Sequence, residues 1–438
     1  MHRRTVLTGL SSLALAGTGA LGLSSAPAAG VGLTRPRTDS RTRELTTLLA
    51  TEVASGMPGT YAEVREAGKT LRVAAGVADV TTGRPAHQGG YHRIGGATKT
   101  FVAVAVLQLV AQRRIDLDKP IGWYLPDVIP GERGRQITVR MLLNHTSGLA
   151  EFTRLSLAEE GETVPRGVLF GSLASIADTA GRWYPPRELA RIGLALPSVA
   201  APGTIWSYSN TGYVLLGLLL ERVTWSSYED VLTRQVLGPL GLRQSFLPRR
   251  QRRLPGPHLT AYVPWSDDRL RPFTTYDMSW AWANCDLVST ASDLNRFYRA
   301  LLSGQILAPT LLAEMMTTVP MSPLFPDSAG YGLGLHWIRG QCGPAWGHDG
   351  FVIGHNTFVR LTPDGTTAQF TLTENLNFYP GMSTMMPANP IDLARAQFMT
   401  SAMSGCATGT TGLASRADAP TELIAHPGWL HRISALAN

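Results

Sequence analysis

The stretch RIGGATKTFVAVAVLQLVAQRR, Arg93 to Arg114, decides how this chain folds. From Thr98 onward its apolar residues run over a full helix length and lie on nearly every side, which predicts a helix buried in a core rather than a strand. Gly95, Gly96 and Ala97 stand at its start, so a strand or loop must deliver the chain into that helix. Lys99 falls inside the apolar run. An unpaired ammonium there would cost several kcal/mol, so a polar partner is expected for it.

Upstream, YAEVREAGKTLRVAAGVADV (Tyr61–Val80) alternates apolar residues around an Ala-Gly-Lys turn, the pattern of a β-hairpin. The middle of the chain is dominated by helical patterns such as YVLLGLLLERV and DLNRFYRALLSG, separated by Pro and Gly. Strand patterns return in YGLGLHWI, HNTFVRLT and TAQFTLTEN, with a turn at Pro363-Asp364-Gly365, and a helical pattern follows over Pro390–Met403. Strands at both ends with helices between predict an α/β fold: an antiparallel sheet built from both chain ends, flanked by helices, with an inserted mostly helical domain. The expected folded region is 44–406, with the α/β part at 44–115 and 320–406 and the helical insert at 116–319. A cleft between the two parts is the natural ligand site.

The N-terminus carries Arg3-Arg4, a Leu/Ala/Gly run without charges, and the small-residue pattern Ala26-Pro27-Ala28. Residues 1–28 therefore read as an export signal of the twin-arginine type, with 29–43 a flexible leader. The run is broken by Gly, Ser and Thr, so no stable membrane anchor is expected, and the protein is placed as secreted or extracytoplasmic. Residues 407–438 read as a loosely attached tail. The formal charge is +7, of which the signal holds Arg3 and Arg4, leaving +5. RRQRR at 249–253 has no interleaved aromatics and reads as a solvated loop, so no nucleic-acid partner is expected. The three cysteines, Cys285, Cys342 and Cys406, show no CxxC spacing, and neither a metal nor an organic cofactor is indicated.

Three segments, RIGGATKTF, IWSYSNTGY and WGHDGFVIGH, together resemble the S-x-x-K, Y-x-N and H-x-G elements of the serine β-lactamase and penicillin-binding-protein family. The likeness is nearest to its soluble exported D-alanyl-D-alanine carboxypeptidases and related esterases, and extends to phrases such as ITVRMLLNHTSGL (137–149) and LGPLGL (237–242). It implies Lys99 as the base and Tyr208 as a second acid/base. It also implies Asn210 as a binder of the substrate amide, with His348 and Gly350 on an edge strand forming the opposite wall. The backbone N–H groups of Phe351 and of residue 96 would make an anion hole. Cys342 and Cys406 fall where the soluble carboxypeptidases carry a disulfide, which leaves Cys285 as a free thiol.

The family serine falls on Gly96. Thr98 is no replacement, being about 200° around the helix from position 96. Three functions remain open: a pseudoenzyme binding a small molecule, peptide, carboxylate or partner; a non-covalent acid/base catalyst using Lys99 and Tyr208; or an ordinary serine carboxypeptidase or esterase with a serine-to-glycine substitution. Cys285 taking over as nucleophile is a further option. His336 stands where some peptidases place a substrate-binding arginine.

Overall fold

The computed structural model describes residues 39–153, 169–170, 172–265, 269–378 and 389–404. The expected signal, residues 29–38 of the leader, the tail and Cys406 lie outside them.

Ala67 and Gly68 both take positive φ, 46° and 76°. A two-residue turn of this hand matches the twist of the strands it joins. It closes the hairpin of β1 (Gly59–Glu66) and β2 (Lys69–Asp79), whose register runs from Glu66↔Lys69 to Gly59↔Gly76. β3 (Arg84–Pro85) lies outside β2. The late strands are β4 (Val319–Pro320), β5 (Ala329–Tyr331), β6 (His336–Gly340), β7 (Gly343–Val352), β8 (His355–Leu361) and β9 (Ala368–Glu374). One sheet results, in the order β3-β2-β1-β9-β8-β7-β6-β5-β4, with every neighbour antiparallel. The β1–β9 ladder, from Thr60↔Glu374 to Glu66↔Ala368, joins the two chain ends, as expected.

Every residue of β8 and β9 is buried, because both faces of the sheet are covered. On one face α1 (Ser40–Ala54) and a C-terminal helix (Pro390–Ala402) pack Leu45, Leu49, Phe398 and Met399 against Val64, Phe358, Phe370 and Leu372. The first helix begins at Ser40, inside the stretch expected as leader. Arg41 supplies the reason: it pairs with Glu66 at 2.8 Å and donates to Ser401 Oγ at 2.7 Å, giving the first turn a tertiary anchor. Beneath these helices lies a fully buried charge cluster. Arg395 donates to Glu374 at 2.9 Å and to Asp392 at 2.6 Å, and Asn356 donates to Glu374 at 2.8 Å. Glu52 of α1 faces the same Glu374 carboxyl.

The other face carries the predicted core helix, α2 (Thr98–Ala111), together with α3 (Asn210–Thr224) and α4 (Ala291–Leu302). Asn295 of α4 donates to the Glu63 carbonyl at 3.0 Å, and Thr371 Oγ1 donates to Asn295 Oδ1 at 2.8 Å, tying α4 to β1 and β9. A short antiparallel pairing of His92–Arg93 with Val288–Ser289 sets the angle at which Gly95–Ala97 turns into α2. The C-terminal helix is α5. Among the described residues no helix is long and apolar enough to cross a membrane.

Candidate active site

Lys99 sits in the first turn of α2 and is fully buried. Its Nζ donates to Tyr208 Oη at 2.6 Å, Asn210 Oδ1 at 2.7 Å and the Asn284 carbonyl at 3.0 Å, and stands 3.7 Å from Cys285 Sγ. Tyr208 and Asn210 are delivered by the start of α3. There Ser209 caps the helix by accepting from Gly212 N–H, and its own N–H donates to His145 Nδ1 at 3.1 Å. Asn210 is oriented by Glu151: its backbone N–H donates to one carboxylate oxygen at 2.6 Å and its Nδ2 to the other at 3.0 Å. Nδ2 also reaches Thr153 Oγ1 at 3.0 Å, which turns Oδ1 toward the lysine.

Burial pulls the Lys99 ammonium below its ordinary pKa, against the pull of Cys285 and Glu151. Burial likewise raises the Tyr208 phenol well above its usual range. The hydrogen-bond pattern suits two proton arrangements. As an ammonium, Lys99 donates to all three oxygens; as an amine, it donates to Asn210 and Asn284 and accepts from Tyr208. The 2.6 Å contact is therefore a hydrogen bond in both states, donated by Lys99 as the ammonium and by Tyr208 when Lys99 is the amine.

Gly96 faces the same space. A Cβ at position 96 would stand 2.8 Å from the Asp349 carbonyl oxygen and 3.3 Å from both His348 Cε1 and Tyr208 Oη. Thr98 Oγ1 instead accepts from Leu287 N–H at 3.2 Å, turned away from the cleft. Cys285 is buried beside Lys99, and burial pushes its thiol up to about 11.

The opposite wall is β7, and it is an interior strand, not the edge strand expected. It pairs with β8 along Trp346–Val352, and with β6 only as far as His336↔Gly347. Residues 348–352 run past the start of β6, so the β6-side ladder ends there. The Gly95–Gly96 turn fills that place: a Cβ on Gly350 would lie 1.7 Å from the Ile94 carbonyl, and one on Gly95, whose φ is +55°, would lie 2.4 Å from Phe351 N. Only glycine permits so close an approach. His348 Nδ1 donates to the Asp349 carbonyl at 2.6 Å and Nε2 accepts from Tyr331 at 2.8 Å, so the ring is fixed as one neutral tautomer. Burial holds it well below the ordinary imidazole pKa. Burial opposes ionisation of Asp349, but its ion pair with Arg360 at 2.7 Å holds the carboxyl well below its usual range. His336 lies behind His348, with ring centroids 5.0 Å apart, and forms no part of the pocket wall.

Gly96, Tyr208, Asn210, His348 and Phe351 share one pocket, beside Lys99 and Gly350. The remaining space admits the centre of a water-sized sphere over about 20 Å³, close to the room for one water. Sequence reasoning misses Glu151, Thr153, Phe170, Trp280, Tyr331 and Phe378. HTSGL at 145–149 was a visible phrase, but nothing in it marks the carboxylate two residues later. Cys342 Sγ lies 2.8 Å from the Met403 carbonyl, whereas Cys406 lies outside the described residues.

The family model described as Beta-lactamase matches residues 43–382. The chain belongs to the beta-lactamase family. It is 27% identical over 325 residues to penicillin-binding protein 4 of Amycolatopsis lactamdurans, covering 70% of this chain and 78% of that protein. A D-stereospecific amidohydrolase from Streptomyces sp. superposes with a TM-score of 0.68 at 33% identity, over 77% of this chain and 95% of the other. The D-amino acid amidase of Ochrobactrum anthropi, solved with D-phenylalanine, gives 0.68 at 24% identity over 85% of this chain and 100% of the other, a likeness of fold.

Proposed function

We propose that this chain is an exported member of its hydrolase family that binds a carboxylate or amide ligand of the D-amino acid or peptide type above Gly96 and forms no acyl-enzyme. The observation that carries this is the make-up of the Lys99 cluster. Its hydrogen-bond partners are Tyr208, Asn210, the Asn284 carbonyl and Cys285, and position 96 has no side chain. Thr98 is engaged elsewhere, and a thiol pushed up to about 11 is almost wholly protonated at neutral pH. Loss of the nucleophile in a covalent hydrolase removes several orders of magnitude in rate. The Tyr208 hydroxyl at the pocket wall, a donor when Lys99 is the ammonium, suits a ligand oxygen, and the D-stereospecific amidohydrolase likeness supports the ligand class. The Cys342–Cys406 disulfide and the twin-arginine signal belong to the same proposal.

A second reading has one observation in its favour: the space above Gly96 fits about one water, next to the Lys99–Tyr208 pair. A water held there could be activated without a covalent intermediate.

The test incubates the purified protein and its Gly96→Ser variant with a labelled penicillin and an activated ester. The parent should remain unlabelled. Acylation of the variant alone would support a cleft intact except for the nucleophile, and an adduct on the parent would overturn the proposal. Any ester or amide turnover by the parent that Lys99→Ala abolishes would favour the second reading.

A further inference from the structure

RRQRR, Arg249 to Arg253, has no aromatic residue within it, but the fold supplies one. The loop lies against the end of the helix Leu173–Gly181. Arg252 donates from Nη2 to the Ala180 carbonyl at 3.3 Å, and the Arg250 guanidinium covers the Trp183 ring at 4.5 Å. Beside them Arg182 covers the Tyr184 ring at 4.7 Å. Trp183 is 44% exposed, and all five residues of the loop are exposed. The loop's backbone is nevertheless pinned. Gln251 N–H donates to the Pro248 carbonyl at 2.7 Å, and the Arg252 carbonyl accepts from Tyr276 N–H at 3.2 Å and from Nη2 of the buried Arg93 at 2.8 Å. Arg250 and Arg252 are thus held against one segment, 180–183, before any partner arrives, which lowers the ordering cost of binding. Arg249 is paired with Asp230 at 2.6 Å and Arg182 with Glu188 at 2.6 Å. Arg250, Arg252 and Arg253 form no ion pair among the described residues.

We propose that Trp183, Arg250, Arg252 and Arg253 form a docking surface that holds the protein reversibly on a bilayer rich in anionic phospholipid. Guanidinium groups match phosphate oxygens in a planar fork, and an indole seats at the level of the headgroups, apolar face inward and N–H toward water. Trp183 is what favours a bilayer over a soluble phosphate polymer, which offers the ring no apolar seat. Each arginine near such a surface is worth about fivefold in binding, so the three unpaired ones give on the order of a hundredfold. The attraction is electrostatic and is screened by salt.

The test sediments the full chain with vesicles of phosphatidylcholine alone and of phosphatidylcholine mixed equally with phosphatidylglycerol, at low and at high salt. At low salt the parent should bind the mixed vesicles on the order of a hundredfold more tightly, and high salt should remove most of that difference. Arg250→Ser, Arg252→Ser and Arg253→Ser should each weaken binding to the mixed vesicles about fivefold, and together should bring it to the level of phosphatidylcholine alone. Serine at Arg113, Arg135 and Arg339, exposed arginines outside the patch, removes the same charge and should have a much smaller effect. Lipid brominated on its acyl chains should quench tryptophan fluorescence of the bound parent, and Trp183→Phe should lose that quenching. Equal binding to both vesicle types, binding to neither, or an equal loss in the variant changed outside the patch would overturn the proposal. So would quenching unchanged in Trp183→Phe, or binding to soluble polyphosphate without binding to vesicles.

Discussion

Glu52 offers a direct test of how the two chain ends are locked together. It is 0% exposed on α1, and burial, followed by the neighbouring Glu374 charge, raises its carboxyl well above the usual range. Burial opposes ionisation of Glu374 too, but Arg395 outweighs it and holds that group below its ordinary value. In the folded protein, then, Glu374 is the anion, and Glu52 stays protonated to higher pH than an ordinary carboxyl. A carboxyl whose folded pKa is raised favours folding fully below its unfolded value, about 4.3, and the benefit is lost as pH rises through the folded value. Within that window each pH unit removes about 1.4 kcal/mol. Glu52→Gln keeps the shape, offers an amide N–H to Glu374, and removes the titration. Its stability should match the parent near pH 4 and then gain on it by about 1.4 kcal/mol per pH unit until Glu52 ionises in the parent. Urea unfolding followed by tryptophan fluorescence across acidic to mildly alkaline pH reads this difference. A difference between variant and parent that stays flat, or that falls with pH, would refute the raised Glu52 pKa.

Arg395→Met should cost about 3–5 kcal/mol at neutral pH, because Glu374 and Asp392 would be left buried without their cation; the urea midpoint measures it. Gly350→Ala should destabilise by about 3 kcal/mol, since its Cβ would press on the Ile94 carbonyl, and the displaced Gly95–Gly96 turn should also weaken ligand binding. Cys285, buried with its thiol pushed up to about 11, should react with iodoacetamide at pH 8 on the order of a hundredfold more slowly than an ordinary thiol, and readily once urea unfolds the chain. Mass spectrometry of the native and unfolded protein distinguishes the two states.

Much of the framework was legible because it is written in local pattern. The Ala67-Gly68 turn, the apolar run of α2 and the paired strands at both chain ends follow from turn chemistry and from periods of two and 3.6 residues. The start of α1 at Ser40 was not, since it depends on Arg41 finding Glu66 and Ser401 across the fold. The interior position of β7 was also hidden. The strand is bordered on both sides, and only the early end of its β6 ladder opens residues 348–352 toward Gly96.

The sequence by itself determined that Lys99 would be buried near a helix start and would need polar partners, and its motifs named Tyr208, Asn210 and His348 as companions. The tertiary structure alone decided that the Asn284 carbonyl completes the lysine's shell, that Glu151 orients Asn210, and that Phe170, Trp280 and Phe378 narrow the pocket. The physical reason is distance along the chain: the partners of Lys99 lie 109, 111 and 185 residues away. Hydrophobic periodicity sets which face of an element is buried, but packing and strand register set which distant side chains meet there.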